Sequence, residues 1–264
     1  STSTLSGCFV GMLLGSTGGA FNVGNITGNN IGSLDGSSTI VVNATSVTAS
    51  TAPFIGIYDF SVTGNTFSNN NIGSITIQST GTTTGFRGIF INTASGTTAT
   101  LNNNTIASIT DTQVGGYTMY GIQVSLANAS ATGNTIRNFT GSGTTAATII
   151  QAGILGSGST GVNTISQNTV HSLSNTTTSV NTNSIYGISL SLPATANIVE
   201  RNFIHSLNIS GTGTAGSYQT WGISGGATGT TTYKNNMIRL GIKPDGTSMT
   251  FGASIIGIRD AAGA

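Results

Sequence analysis

The chain has 264 residues, only 5% of them charged, and a formal net charge of +1. So weak a field offers neither nucleic acid nor an anionic membrane surface anything to hold. A single cysteine, Cys8, leaves no disulfide framework and no thiolate metal site, and only three prolines interrupt the chain.

From its N-terminal side the chain runs directly into a predicted strand, Phe9-Val10-Gly11-Met12-Leu13-Leu14. Cys8 at its head reads as a small buried residue. The apolar run from Cys8 to Leu14 is too short to span a membrane and lacks a basic flank. Next comes Asn29-Asn30-Ile31, with Ile26 three residues before the first asparagine and Leu34 three residues after the isoleucine. That pattern predicts one strand leading into the asparagine and another leaving it. An insertion from Asp35 to Pro53 follows and carries its own strand candidate, Thr39-Ile40-Val41-Val42.

Beyond the insertion the same two phrases recur. The glycine phrase returns at Gly56-Ile57, Gly88-Ile89, Gly121-Ile122, Gly153-Ile154, Gly187-Ile188, Gly222-Ile223 and Gly257-Ile258. The asparagine phrase returns at Asn70, Asn104, Asn134, Asn168, Asn202 and Asn236, with spacings of 41, 34, 30, 34, 34 and 34 counted from Asn29. Two markers keeping one period mean a single unit repeated about seven times along the chain. No window carries the i, i+3, i+4, i+7 pattern of an amphipathic helix, and Thr, Ser, Asn and Gly are poor helix formers. Strict alternation around each glycine predicts an inward row made of the following residue, of Leu14, Ile91, Val124 and Leu190 two further on, and of Val10, Ile55, Tyr120, Tyr186, Trp221 and Ile256 just before it. The same alternation turns Phe9, Leu13, Phe54, Tyr58, Phe86, Phe90 and Met119 outward.

Asparagine suits the corner between two strands, because it tolerates a left-handed backbone and its amide both donates and accepts. Stacked coil on coil, Asn29, Asn70, Asn104, Asn134, Asn168, Asn202 and Asn236 are expected to form a hydrogen-bonded ladder. In these N-x-I and G-I phrases the chain resembles the parallel β-helix repeat proteins of the pectate-lyase-like superfamily, over Val10 to Arg259. The resemblance implies an all-β, right-handed parallel β-helix (β-solenoid) of about seven coils of roughly 34 residues, one domain over residues 1–264 with the insertion at 35–53. It fits a non-catalytic surface or fibre member, since the fold serves lyases, hydrolases, adhesins and fibres alike.

Catalysis on such a scaffold needs clustered carboxylates. Here Asp35, Asp59, Asp111, Glu200, Asp245 and Asp260 are scattered through different repeats, and no cofactor or metal is expected. Glu200 and Lys234, one period apart, predict a cross-coil ion pair. Arg137, His171, His205 and Arg239 fall three residues after successive ladder positions, so they predict an outward basic column for an anion or glycan. The apolar residues Phe9, Phe54, Tyr58, Phe86 and Phe90 predict a lateral face, covered either by the Asp35–Pro53 insertion or by another chain. Both ends present a glycine strand, so Phe9, Val10 and Met12 at one end and Ile255, Ile256 and Ile258 at the other form a candidate joint between copies. The resulting expectation is a secreted structural or adhesive solenoid at the cell surface, assembling head to tail into a filament. Its partners are itself and glycans, with no nucleic acid and no membrane insertion. The alternatives are a carbohydrate-binding or polysaccharide-degrading domain and an ice-binding solenoid. Regular T-x-T rows would mark the last, and the threonines read mostly as loop residues.

Overall fold

The computed structural model describes residues 9–43, 53–78, 85–113, 115–143, 148–157, 161–177, 181–190, 196–211, 218–226, 229–250 and 253–260. Cys8 lies outside them. All regular structure among these residues is β, in three parallel sheets that wrap a common interior as a solenoid with coils of about 34 residues. Each complete coil gives one rung to each sheet. The glycine sheet holds eight strands, from Phe9–Leu14 to Ser254–Asp260. An approach sheet of seven strands, from Asn22–Val23 to Thr230–Lys234, leads into the asparagine corner. An exit sheet of eight strands leaves it, ending with Met237–Arg239.

The insertion strand exists. Ile40–Val42 pairs with the second half of Asn71–Ile77, whereas Asn30–Gly32 pairs with its first half, so the two short strands together make one rung of the exit sheet. Consequently Ile40, not Leu34, takes the place next to Ile75. The described part of the insertion therefore extends the exit sheet and does not cover the glycine sheet. In the same first coil Ile26 is 95% exposed, and Val23 pairs with buried Phe67 in its stead. The extra residues that lengthen this coil carry Ile26 out into a turn.

The ladder is unbroken. Side-chain Nδ2 donates to the next Oδ1 from Asn29 to Asn70 (2.8 Å), Asn70 to Asn104 (2.9 Å), Asn104 to Asn134 (2.9 Å), Asn134 to Asn168 (2.9 Å), Asn168 to Asn202 (3.0 Å) and Asn202 to Asn236 (2.9 Å). The ladder asparagines are not the bent residues, however. Positive φ falls one position earlier, at Asn69 (59°), Asn103 (54°), Gly133 (69°), Gln167 (56°), Arg201 (54°) and Asn235 (53°). The preceding residue makes the turn, which leaves the ladder amide free to lie along the stack. A second bend, four residues after the ladder, sets positive φ at Ser74, Ser108, Asn138, Ser172 and Ser206. It explains why Ile75, Ile109, Phe139, Leu173 and Leu207 face inward together with the apolar residue three positions earlier, an odd spacing that a straight strand would split between two faces.

A comparable break sits at each glycine. The residue after it is inward as expected, but the row before it is reversed: Phe54, Phe86 and Met119 are fully buried in the core, while Val10, Ile55 and Tyr58 pack with Phe90 in a small cluster outside it. Strict alternation fails because the strand kinks at glycine and drops one residue out of phase. The kink also joins the two phrases. A Cβ on Gly121 would lie 2.6 Å from the Gly153 carbonyl oxygen and 2.7 Å from Ile136 Cγ2, and Gly88 meets Gly121 and Ile106 in the same way. Glycine thus makes room for the isoleucine two residues after the ladder asparagine in its own coil, which is why G-I and N-x-I travel together.

Candidate functional site

Arg137, His171, His205 and Arg239 do stand side by side on four consecutive exit strands. The two imidazoles stack with centroids 4.7 Å apart and planes 5° from parallel. Each Nδ1 lies within hydrogen-bond reach of the next serine, 3.0 Å from Ser172 Oγ and 2.9 Å from Ser206 Oγ. Those serines are the bent residues, so the bend itself orients the rings. Partial burial, then the charges of His205 and Arg137, push His171 down to about 4. Burial and Arg239 likewise lower His205. Near neutral pH the column is therefore two arginines flanking two neutral, stacked rings.

The lateral face also changes. Phe9, Phe54 and Phe86 form a stacked column at 5.1 and 5.5 Å that points into the coil and ends edge-on against Phe139. Of the five residues assigned to that face, only Tyr58 and Phe90 lie on the outside, stacked at 5.0 Å with the Arg87 guanidinium 4.3 Å from the Phe90 ring. Further along, Arg259 covers Trp221 at 4.6 Å and Tyr186 meets the indole edge-on. These rings mostly shield one another. Large apolar side chains remain well exposed nearby at Leu13, Phe60 and Val62, and the last two line a shallow recess with Gly15, Ser16 and Thr17.

The acids do not converge. Asp59 is buried and accepts from Ser61 N (3.0 Å) and Asn65 Nδ2 (2.7 Å). Asp111 is buried in the next coil and accepts from Gln113 N (3.1 Å) and Nε2 (3.0 Å), with burial driving its carboxyl up to about 7. Glu200 makes the expected ion pair with Lys234 (2.9 Å) and a second with Arg201 (2.5 Å). Among the described residues no three His, Cys, Asp or Glu side chains gather as a metal site.

A partial second ladder escaped the sequence reading. Asn65 Oδ1 accepts from Phe21 N (2.7 Å), Asn163 Oδ1 accepts from Ala129 N (2.7 Å), and Asn163 Nδ2 donates to Asn197 Oδ1 (2.9 Å). Its signal was there: each of these asparagines lies five residues before a ladder asparagine.

Exposed apolar side chains also lie on the first and last described glycine strands. Phe9 is 41%, Ile255 44% and Ile258 45% exposed, although their register partners Phe54, Thr220 and Ile223 are fully buried. No family model, curated protein or solved structure matches this chain.

Proposed function

We propose that the chain is a non-catalytic, extracellular structural or adhesive β-solenoid whose coils stack end to end into a filament. The observation that carries this reading is the pair of end rungs. Among the described residues the first and last glycine strands keep their inward residues half exposed, and neither has a partner strand on its outer edge. A second copy fits because the last strand, Ser254–Asp260, and the first, Phe9–Leu14, are the same element of the repeat. Stacking one on the other repeats the contact that each internal pair already makes. The low charge adds no repulsion across the joint.

Glycine supplies the test. A Cβ on Gly257 meets nothing within 4 Å, whereas one on Gly222 comes 2.5 Å from the Gly257 carbonyl oxygen. Gly257→Ala is thus expected to leave the monomer's unfolding midpoint unchanged and to abolish filaments seen by negative-stain microscopy. Gly121→Ala, inside the stack, is expected to cost about 1–3 kcal/mol by overpacking. Filaments that persist in Gly257→Ala, or a wild-type chain that stays monomeric at high concentration, would end the stacking reading.

Ice binding has an observation of its own. Thr66, Thr100, Ser130 and Thr164 stand in register on the outer face of the approach sheet, beside a second column of Ser68, Asn102, Thr132 and Ser166. The threonines and serines of these two columns lie on strands, although most threonines of the chain fall outside the described strands. These strands contain no positive-φ residue, and over those four coils they carry no charged residue. If this face binds ice, the chain shapes growing ice crystals and Thr100→Lys with Ser130→Lys loses that effect. Unshaped crystals with the wild-type chain remove this reading.

A further inference from the structure

The interior is apolar along most of its length, but at the corner where the exit strands turn toward the glycine strands it becomes polar over three coils. The inward exit-sheet column reads Ile77, Asp111, Gly141, Asn175, Ile209. The facing column of the glycine sheet reads Phe86, Met119, Gln151, Ile185. Isoleucine and phenylalanine thus close the polar segment on either side.

Within it Gln151 and Asn175 are fully buried. Gln151 Nε2 donates to the Ser174 carbonyl (2.9 Å) and lies 3.5 Å from Met119 Sδ, which fixes the amide beside the residue preceding Asn175. Gln151 Oε1 has no partner in the protein, and neither Nδ2 nor Oδ1 of Asn175 has one. Tyr117 on the neighbouring rung is already used, its hydroxyl donating toward the Asp111 (2.9 Å) and Ser142 (3.0 Å) carbonyls.

We infer that this corner is a binding site for ordered water, held between Gln151 Oε1 and the Asn175 amide. The chemistry of the three unpaired atoms selects the ligand. Two are acceptors and one is a donor, so a cation satisfies the oxygens and repels the N–H, whereas an anion does the reverse. Water both donates and accepts, and buried water usually makes two to four such bonds. Left dry, each unpaired atom would keep its full desolvation penalty, which a stable coil does not carry without return. Side chains of similar size and no polarity occupy the equivalent positions one rung away, at Ile185 and Ile209. The polar pair is therefore a local feature of the sequence and not a demand of the fold.

Oxygen-17 magnetic relaxation dispersion on the full chain detects water held far longer than at a surface. It is measured for wild type and for Asn175→Leu, together with the thermal midpoint of each. A hydrated site predicts that Asn175→Leu reduces the dispersion amplitude and lowers the midpoint, because it removes the water and strands Gln151 Oε1. A dry site predicts the opposite sign: Asn175→Leu raises the midpoint and leaves the dispersion unchanged. Either of those results overturns the inference. Should Asn175→Leu fail to fold, Gln151→Met gives the same two readouts with a side chain of nearly equal length.

Discussion

Replacing Asn168 by alanine is expected to lower the unfolding free energy by about 2–5 kcal/mol, a large share of what holds one coil to the next. The side chain is fully buried and takes part in four hydrogen bonds. Its Oδ1 accepts from both Asn134 N and Asn134 Nδ2 (2.9 Å each). Its Nδ2 donates to Ala131 O and Asn202 Oδ1 (3.0 Å each). After truncation Asn202 Oδ1 keeps the Asn168 backbone N–H (3.0 Å) and Asn134 Nδ2 keeps the Leu101 carbonyl (2.8 Å). The Asn134 backbone N–H loses its side-chain acceptor and the Ala131 carbonyl its side-chain donor, at about 1–3 kcal/mol each. Asn71→Ala is the matched control, because the Asn71 amide reaches only Asn30 Oδ1 (2.9 Å) at the surface. It is expected to stay within about 0.5 kcal/mol of wild type. Urea unfolding of the two variants settles the comparison. Equal shifts would mean that the ladder amides contribute no more than surface asparagines do. Because each coil contacts only its neighbours, hydrogen exchange should also rise first around Asn134 and Asn202.

The ladder was legible because it obeys one rule: the same residue recurs at the same place in every coil, so period alone exposes it. The coils were legible for the same reason. Side-chain direction near the glycines was not, because alternation assumes a straight strand and the glycines are where the strands bend. Phe54 and Phe86 were therefore assigned to the surface, when the Phe9–Phe54–Phe86 stack is a core column. The bends at Ser74, Ser108, Ser172 and Ser206 had a visible trace, apolar residues two and five after the ladder asparagine, since both can face inward only if the chain turns between them. Non-glycine residues in the left-handed region give no such signal themselves. Arg201 and Gln167 at that conformation are unremarkable as letters.

The candidate sites divide along similar lines. The register of Arg137, His171, His205 and Arg239 followed from spacing, and the Glu200–Lys234 pair did too. Charge state did not, because it depends on how far stacking and the serine hydroxyls remove each imidazole from water. The interior cluster was invisible for a different reason. Asp111, Gln151 and Asn175 lie in different repeats and at different distances from any marker, and only the stacking of coils brings their columns face to face.

Asp111 carries the second large effect, and its sign is unusual for a carboxylate. Its folded value of about 7 lies above the ordinary 3.8, because burial penalises the anion more than the two hydrogen bonds from Gln113 favour it. The folded chain then binds a proton more tightly than the unfolded chain. Stability from this group is fully present below the unfolded value, falls as pH rises from about 3.8 toward 7, and stays low above it. A gap of that size corresponds to about 4 kcal/mol, as an order of magnitude. His171 works in the opposite direction. Its lowered folded value means that stability is lost as pH falls below the unfolded value of 6.5 toward about 4, an effect reduced by solvent screening of the half-exposed ring. Between those limits the two groups partly cancel in wild type, so a flat profile there would say little about either. Asp111→Asn separates them, since asparagine keeps an acceptor for Gln113 N and cannot ionise. The variant is expected to match wild type near pH 4, to exceed it by several kcal/mol above pH 8, and to show the histidine loss alone on acidification. Denaturant unfolding at a series of pH values measures all three. If Asp111→Asn is no more stable than wild type at pH 8, the buried carboxyl already has a partner strong enough to hold its charge.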